Sequence, residues 1–464
     1  MPRRIAATVV ALLLWSPLSI KAQDWGAGVD PRIELMGILF RLAGNPEYNQ
    51  CRIPAYDKAV ASWFAPYRDH EAVRLARGLG IGFDAPVKLA VYLTDVDSLA
   101  ERVPFNSPSI HLYQGWNAAK ARAFLKAARA FASDAKFKEF LASQQPLFQT
   151  TNTRLQALVK AQTDMAWFAE FFGSGRPGRY VIVPGMIDGT SSYAARFTGP
   201  GGADEVYVIP GVTSVDAAGM PIFDSNWRNA MVHELAYSYC GPLVDKFAPQ
   251  MAVAARQSLE QAPDAVRSQT QGSWKAMIDS SLMRAVAVRY IIAHDTADAA
   301  SGIIRQSNAN SFFWTSDLSD LLGDYEKNRQ QYPTFESFIP RVEQFFDDLA
   351  PRMKDLAARY QPRVVSIMPA DGAQDIDPSV KEIVVLFNMP MSQEARHKDP
   401  RFLVPRFDET GTVLTLPVVL ESNHDYEIPL RWPGGQPFVS ADGVTLAGVT
   451  IHFRTRAASV TASQ

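Results

Sequence analysis

The stretch that decides the fold is Val232-His233-Glu234-Leu235-Ala236-Tyr237-Ser238-Tyr239. In the pattern H-E-x-x-H, two imidazoles one helical turn apart bind the same Zn²⁺, and the glutamate beside the first one polarises the metal-bound water. His233 and Glu234 occupy the first two positions of this pattern, but Tyr237 stands where the second histidine belongs. The stretch therefore predicts a helix that carries half of a zinc site.

The segments around this stretch predict a mostly helical unit with a small sheet. Asp30-Pro31 is an N-cap followed by a first-turn proline, and Gly44 is a stop signal. The motif helix is expected over 226–239, with Gly241-Pro242 ending it, and a second helix over 274–294. Four segments are expected as strands: 86–93 (PVKLAVYL), 179–183 (RYVIV), 192–197 (SYAARF) and 205–209 (EVYVI).

The composition changes at residue 363. Short runs that alternate apolar and polar residues follow, separated by Gly, Pro, Asn and Asp; they include KEIVVLF (381–387) and VTIHFRT (449–455). Several short strands at this spacing are typical of a β-sandwich. The sequence thus predicts an α+β protein, with a main domain over 23–362, an all-β domain over 363–456 and a tail over 457–464.

The N-terminus has the pattern of a secretory signal. Arg3 and Arg4 form a positive region, residues 5–15 are apolar, and residues 20–22 precede a cleavage position before Gln23. We expect residues 1–22 to be removed and the protein to be periplasmic or extracellular. The apolar run is shorter than the ~20 residues that span a bilayer, and no later segment is long and apolar enough, so no membrane span is expected after cleavage.

The net charge and the two cysteines limit which partners and which covalent links the sequence allows. The formal net charge is −2, and loss of residues 1–22 with their three cations makes it −5. No basic block is present, which argues against a nucleic-acid partner. Cys51 and Cys240 would meet an oxidising compartment, so a disulfide between them and two separate thiols are both compatible with the sequence.

The main domain resembles an uncharacterised family of secreted bacterial proteins assigned to the zincin-like metallopeptidases. The resemblance covers nearly all of residues 29–350 and includes 29–35 (VDPRIEL), 41–44 (RLAG), 64–67 (FAPY), the 233–237 motif and 332–340 (YPTFESFIP). Residues 363–456 resemble the bacterial Ig-like domains of surface-layer proteins, through PADGA (369–373), FNMPM (387–391) and FRT (453–455). These resemblances imply a zincin-like main domain followed by an Ig-like sandwich.

The zincin resemblance also implies a site in which two histidines and a downstream acidic residue bind zinc. His233 matches the first ligand and Glu234 the general base, whereas Tyr237 replaces the second histidine. The acidic position aligns with Ser280, beside Asp279, in a helix that continues into residues 282–285 (LMRA). Two of three expected ligands are therefore absent.

Neighbouring residues replace these ligands poorly. A phenol such as that of Tyr237 binds a metal well only after losing a proton whose pKa is ~10. Asp279 lies ~100° around the helix from Ser280. Arg284 is a candidate partner for a site carboxylate, although a salt bridge elsewhere explains it equally well. His233, Glu234 and Tyr237 also have structural readings, as a hydrogen-bonded histidine, a solvated carboxylate and a core aromatic residue.

Three functions follow. The first is a non-catalytic relative of metallopeptidases with no bound cofactor, whose cleft binds a peptide or protein segment. The second is a secreted zinc-dependent peptidase that uses His233, Glu234 and unconventional ligands such as Tyr237 or Asp279. The third is an envelope structural or adhesion protein, whose function would survive destruction of the cleft. The first two functions differ in whether the purified protein contains bound zinc.

Overall fold

The computed structural model of the protein describes residues 25–79, 84–108, 110, 112, 116–173, 179–200, 202, 204–393, 405–432 and 435–457. Helices dominate up to Tyr360 and strands follow from Val364, so the predicted α+β class is confirmed. The predicted signal peptide and residues 458–464 of the predicted tail lie outside the described residues. No helix in the described ranges is long and apolar enough to cross a membrane.

The helices and strands have the following bounds. The helices are α1 (Pro31–Ala43), α2 (Pro54–Phe64), α3 (Glu71–Gly78), α4 (Ala85–Val91), α5 (Ala118–Asp134), α6 (Phe137–Ser143), α7 (Gln145–Gln162), α8 (Met165–Phe172), α9 (Ser225–Lys246), α10 (Ala248–Gln261), α11 (Asp264–Gln269), α12 (Trp274–His294), α13 (Ala297–Ala309), α14 (Thr315–Lys327), α15 (Phe335–Leu349) and α16 (Met353–Tyr360). Short 3-10 helices span Pro46–Tyr48, Ala65–Tyr67 and Ala350–Arg352. The strands are β1 (Trp25–Ala27), β2 (Arg179–Ile182), β3 (Ser192–Thr198), β4 (Asp204–Pro210), β5 (Val364–Met368), β6 (Ala373–Ile376), β7 (Glu382–Phe387), β8 (Arg406–Phe407), β9 (Val413–Pro417), β10 (Asp425–Pro429) and β11 (Thr450–Thr455).

Helix α1 shows how local sequence sets the element boundaries. The side chain of Asp30 accepts a 2.9 Å hydrogen bond from the backbone N–H of Arg32, and Pro31 supplies a first-turn residue that needs no N–H partner. Gly44 ends the helix at φ 101°, where its N–H donates to the Arg41 carbonyl. Only glycine adopts this left-handed conformation freely, so the predicted start and stop are both confirmed.

A four-stranded sheet of order β1-β2-β4-β3 separates two hydrophobic cores. β1, β2 and β4 are parallel, and β3 runs antiparallel to β4 at the edge of the sheet. Successive strand side chains point to opposite faces. Val206 and Val208 of β4 therefore pack with the core around α9 and α12, whereas Tyr207 and Ile209 pack with the core around α1 to α5. The three strands predicted before the motif helix are confirmed.

The strand predicted over residues 86–93 is wrong, because this segment contains helix α4. The prediction rested on a short apolar run, whose pattern does not distinguish a buried strand from a buried helix. Pro86 lies in the first turn, where a proline favours a helix. Lys88 is the one half-buried residue of an otherwise buried helix, and it forms a 2.5 Å ion pair with Asp84.

The predicted end of the motif helix at Gly241-Pro242 is also wrong, because α9 continues to Lys246 with Pro242 inside it. A proline lacks the N–H that would bond the carbonyl four residues earlier. The Ser238 carbonyl, which loses this partner, instead accepts a 2.8 Å hydrogen bond from Nη2 of Arg196 in β3. Leu243 and Val244 are buried in the last turns. A long-range donor and core packing therefore let the helix pass through the proline.

The strands after Val364 form a four-stranded sheet of order β5-β7-β9-β8 and a three-stranded sheet of order β10-β11-β6. Ile383, Val385 and Phe387 alternate along β7 and are buried in a separate core that Ile451 and Phe453 share. We call residues 364–457 the β unit. The change from helix to strand falls between Tyr360 and Val364, where the sequence predicts the domain boundary.

Candidate functional site

Helix α9 places the motif residues beside two cavities. The Asp224 side chain caps the helix by accepting a 3.0 Å hydrogen bond from the Trp227 N–H. Leu235 and Ala236 are buried between α9 and its neighbours, whereas His233 is half-buried and Tyr237 is exposed. The two positions that would carry both histidines of a zinc motif therefore lie at the surface, one turn apart.

His233 and Glu234 line a cavity of about 800 Å³, the His233 cavity. Its lining residues are Gln50, Thr190, Ser191, Ser192, Asn226, Asn229, Ala230, His233, Glu234, Ala287, Ile303 and Gln306. Nδ1 of His233 lies 3.3 Å from Oε1 of Glu234, and 9% of the Glu234 residue is exposed. The imidazole thus meets the carboxylate of its own sequence neighbour at the wall of the cavity.

Tyr237 lines a second cavity of about 390 Å³, the Tyr237 cavity, between α4, β3 and α9. Its lining residues are Lys88, Tyr92, Ala194, Ala195, Arg196, Thr198, Tyr237, Ser238, Gly241, Pro242 and Asp245. Although 37% of the Tyr237 residue is exposed, desolvation of its phenol, followed by the charges of Asp279, Asp84, Glu234 and Asp245, raises the pKa of Tyr237 to about 12. The Tyr237 phenol is therefore neutral at physiological pH.

Strand β3 runs past both cavities. Ser192 lines the His233 cavity, and Ala194, Arg196 and Thr198, which follow at two-residue spacing, line the Tyr237 cavity. Arg196 is fixed by a 2.8 Å ion pair with Asp204 and by its bond to the Ser238 carbonyl. Strand β3 and helix α9 therefore each contribute to the walls of both cavities, and we call the row of these two cavities along β3 and α9 the groove.

Helix α12 brings the second group of predicted site residues beside α9. Asp279 is half-buried, and among the described residues its Oδ1 has no hydrogen-bond partner. Burial, followed by the charge of Asp245, raises the pKa of Asp279 to about 7 against the opposing charge of Lys275. The charge of Asp279 also raises the pKa values of Tyr237 and Cys240. Ser280, where the zincin resemblance would put the acidic ligand, is half-buried in α12.

Arg284 does not pair with a site carboxylate among the described residues. Its guanidinium lies over the ring of Phe312, 4.4 Å from the centroid, and its Nε has no hydrogen-bond partner. Burial lowers the pKa of Arg284 to about 10. Arg284 therefore packs on the ring of Phe312, and the structure shows no site carboxylate paired with it among the described residues.

Cys51 and Cys240 are both free thiols. The Cys51 thiol lies 3.3 Å from the Met186 carbonyl oxygen, and burial raises its pKa to about 12. Cys240 is fully buried in the core around α9, whereas Cys51 packs against the core on the other face of the sheet. The structure contains two separate thiols, which is one of the two arrangements that the sequence left open.

The donor set does not fit a standard catalytic zinc site, which uses three protein ligands. Across the described ranges, no three His, Cys, Asp or Glu side chains are gathered so that they could hold one metal ion. His294 stacks on Tyr290 and its Nε2 lies 3.4 Å from Asp164, while Nδ1 of His70 caps α3. Neither histidine lines the His233 cavity. The arrangement therefore supports no zinc-dependent step.

Several lining residues were not predicted from the sequence. Arg196, the Thr190 to Ser192 turn and Gln306 reach the groove only through long-range packing. Pro242 inside α9 is the one local signal, because it implies a carbonyl that needs another donor. The sequence does not identify that donor, which lies 42 residues away in the chain.

The chain belongs to the family described as "Domain of unknown function (DUF4932)", which matches residues 27–344. No curated protein matches the chain. A solved structure with some similarity is that of the S-layer protein rSbsC(31-844), with 12% identity and a TM-score of 0.16. The match covers 73% of this chain and 41% of the S-layer chain. Similarity at this level supports no conclusion about the fold or the function of this protein.

Proposed function

We propose that this DUF4932 protein is exported and binds a polypeptide segment in the groove between β3 and α9, without hydrolysing it. In this proposal the main domain is zincin-like, His233 and Glu234 are the remainder of a zinc site, and residues 363–456 form an Ig-like sandwich. The proposed partner is a peptide or an extended segment of another protein.

The observation that carries the proposal is the position of β3. Within the described part of the sheet, β3 pairs only with β4, and both cavities lie along it. An edge strand has backbone N–H and C=O groups with which an extended peptide can pair, and pockets beside the strand can accept alternate side chains. A polypeptide therefore fits this groove better than a compact small molecule does.

The arrangement of His233 and Glu234 supports binding without catalysis. A metallopeptidase needs a bound metal to activate water, and Tyr237 and Ser280 provide neither of the two missing ligands. Glu234 sits against His233 at 3.3 Å. In the proposed role these two side chains offer polar contacts at one end of the groove.

A peptidase with unconventional ligands is the second candidate, and one observation favours it. Among the described residues, Oδ1 of the half-buried Asp279 has no hydrogen-bond partner, and the charge of Asp279 raises the pKa of Tyr237. A carboxylate is a good zinc ligand. This candidate requires that zinc be bound stoichiometrically through His233, which the first proposal does not allow.

The experiment is selection of random 12-residue peptides on the mature protein, followed by affinity measurements. Ala230 lines the His233 cavity, so Ala230→Trp should fill the cavity and weaken binding of the selected peptides at least tenfold. Val253→Trp, at a residue that is 66% exposed on α10, is the matched control and should bind as the wild type does. Peptides that bind Ala230→Trp as tightly as the wild type would contradict the proposal.

A further inference from the structure

Helix α13 forms a wall of two cavities. Ile303 and Gln306 line the His233 cavity, whereas Asp298, Arg305, Gln306 and Ala309 line a cavity of about 840 Å³ between α13 and the β unit, the interdomain cavity. At ~100° per residue, Asp298, Arg305 and Ala309 fall within ~40° of one another, and Ile303 points ~140° away from Asp298. Gln306 lies between these faces and lines both cavities.

The far wall of the interdomain cavity contacts α13 at Gly443. Gly443 approaches the Arg305 carbonyl so closely that a β-carbon there would lie 2.5 Å from the oxygen. Its φ of 90° also favours glycine at this position. The next residue, Val444, is buried in the helical core around α9 and α12. The β unit therefore packs against α13 and contributes the far wall of the interdomain cavity.

The chemistry of the interdomain cavity suits a polypeptide. The charged side chains among its described lining residues are Arg305 and Asp298, which balance each other. The β unit adds the hydroxyl groups of Ser392, Thr410 and Ser440. A neutral lining rich in hydrogen-bonding groups matches the donors and acceptors of a peptide backbone, whereas nucleic acid would require an excess of cations.

We infer that the interdomain cavity continues the His233 cavity, so that one extended polypeptide segment occupies both and the β unit is part of the binding site. This inference rests on the proposed polypeptide-binding function. A helix with its side chains is ~10–12 Å across, and an extended chain advances ~3.3 Å per residue. A ligand therefore needs about three or four residues to pass over Gln306 and further residues to fill each cavity.

The test uses the full mature chain and the 12-residue peptides selected on it, each also trimmed to five residues from either end. Ala441 and Ala309 are exposed and line the interdomain cavity, so Ala441→Trp and Ala309→Trp should fill it without disturbing the core. Val419→Trp, at a residue of the β unit that is 77% exposed and outside the cavity, is the matched control.

We expect Ala441→Trp and Ala309→Trp to weaken binding of the 12-residue peptides at least tenfold, and Val419→Trp to have no effect. At least one trimmed form, which occupies only the His233 cavity, should bind wild type and Ala441→Trp equally. Twelve-residue peptides that bind both cavity variants as tightly as the wild type would overturn the inference while leaving the proposed function intact. A wild-type protein that binds no peptide would contradict the proposed function and this inference with it.

Discussion

The hydroxyl of Tyr56 donates a 2.5 Å hydrogen bond to Oε2 of Glu34, and both side chains are buried between α1 and α2. Burial, together with the charge of Asp30, raises the pKa of Glu34 from 4.5 to about 7. The hydrogen bonds from Tyr56 and from the Met186 N–H oppose the rise without cancelling it. Glu34 therefore keeps a proton in the folded protein at a pH where it has lost that proton in the unfolded chain.

This relationship predicts that the free energy of unfolding falls as the pH rises. The stabilisation by protonated Glu34 is complete below pH 4.5 and is lost as the pH passes through about 7. A pKa raised from 4.5 to about 7 corresponds to a loss of about 3 kcal/mol. Urea unfolding at pH 5 and pH 8 measures this loss, to which Asp279 contributes in the same direction because its pKa is also raised to about 7.

Glu34→Gln isolates the contribution of Glu34. The variant should be less sensitive to pH than the wild type between pH 5 and pH 8, whereas Glu139→Gln, at an exposed residue, should leave the dependence unchanged. Two results would show that the pKa of the buried Glu34 carboxyl is not raised in the folded protein. One is a free energy of unfolding of the wild type that rises from pH 5 to pH 8. The other is a dependence of the free energy of unfolding on pH that is the same in Glu34→Gln as in the wild type.

Arg196 should stabilise α9 by satisfying the carbonyl that Pro242 leaves without a donor. Arg196→Met leaves the Ser238 carbonyl unpaired, so we expect a loss of about 1–3 kcal/mol in the free energy of unfolding. Pro242→Ala restores a backbone N–H to bond that carbonyl and should recover part of the loss in the Arg196→Met background. Lys246→Met breaks an exposed ion pair with Glu336 and should cost less than about 1 kcal/mol.

A double-mutant cycle in urea unfolding measures the coupling between Arg196 and Pro242. Pro242→Ala should stabilise the Arg196→Met variant more than it stabilises the wild type. An equal effect in both backgrounds would mean that Arg196 does not compensate for the proline.

The β unit should fold without the main domain. Its strands pack on a separate core that includes Ile383, Val385 and Ile451. Expressed alone, residues 363–456 should give a β-type circular dichroism spectrum and a cooperative thermal transition. A spectrum of a disordered chain would place the domain boundary elsewhere.

Export should remove residues 1–22. The charged start, the short apolar run and the small residue before Gln23 motivate this expectation. N-terminal sequencing of the protein recovered outside the cytoplasm should begin near Gln23, and recovery of Met1 at the N-terminus would refute the prediction.

Local signals in the sequence predicted the elements whose boundaries depend on local chemistry. Asp30, Pro31 and Gly44 define α1, and the predicted helix over 274–294 is α12. The apolar run of α4 was misassigned because a short buried helix and a short buried strand share the same composition. Local sequence also gave the wrong end for α9, because Arg196 and the core packing of Leu243 counteract the effect of Pro242.

The candidate site was predictable only where its residues are neighbours in sequence. His233, Glu234 and Tyr237 follow from one helical stretch, but the cavities around them are made by β3, α4 and α13. Gln306 reaches the groove through the packing of α13, which no local pattern specifies. The sequence did not determine which side chain Arg284 contacts, and in the structure its guanidinium lies over the ring of Phe312.

The central claim is that the groove no longer binds zinc in the standard way, and the zinc content of the mature protein after saturation and dialysis tests it most directly. We predict less than stoichiometric zinc in the wild type and measurable zinc binding in the double variant Tyr237→His with Ser280→Glu, which supplies two histidines and one carboxylate and leaves Glu234 as the base. Any peptidase activity of that variant should be feeble, because the residues that orient the ligands are not selected for a metal. Stoichiometric zinc in the wild type that is lost in His233→Ala would contradict the account and favour the peptidase, and a double variant without zinc would contradict the zincin-like assignment of these positions.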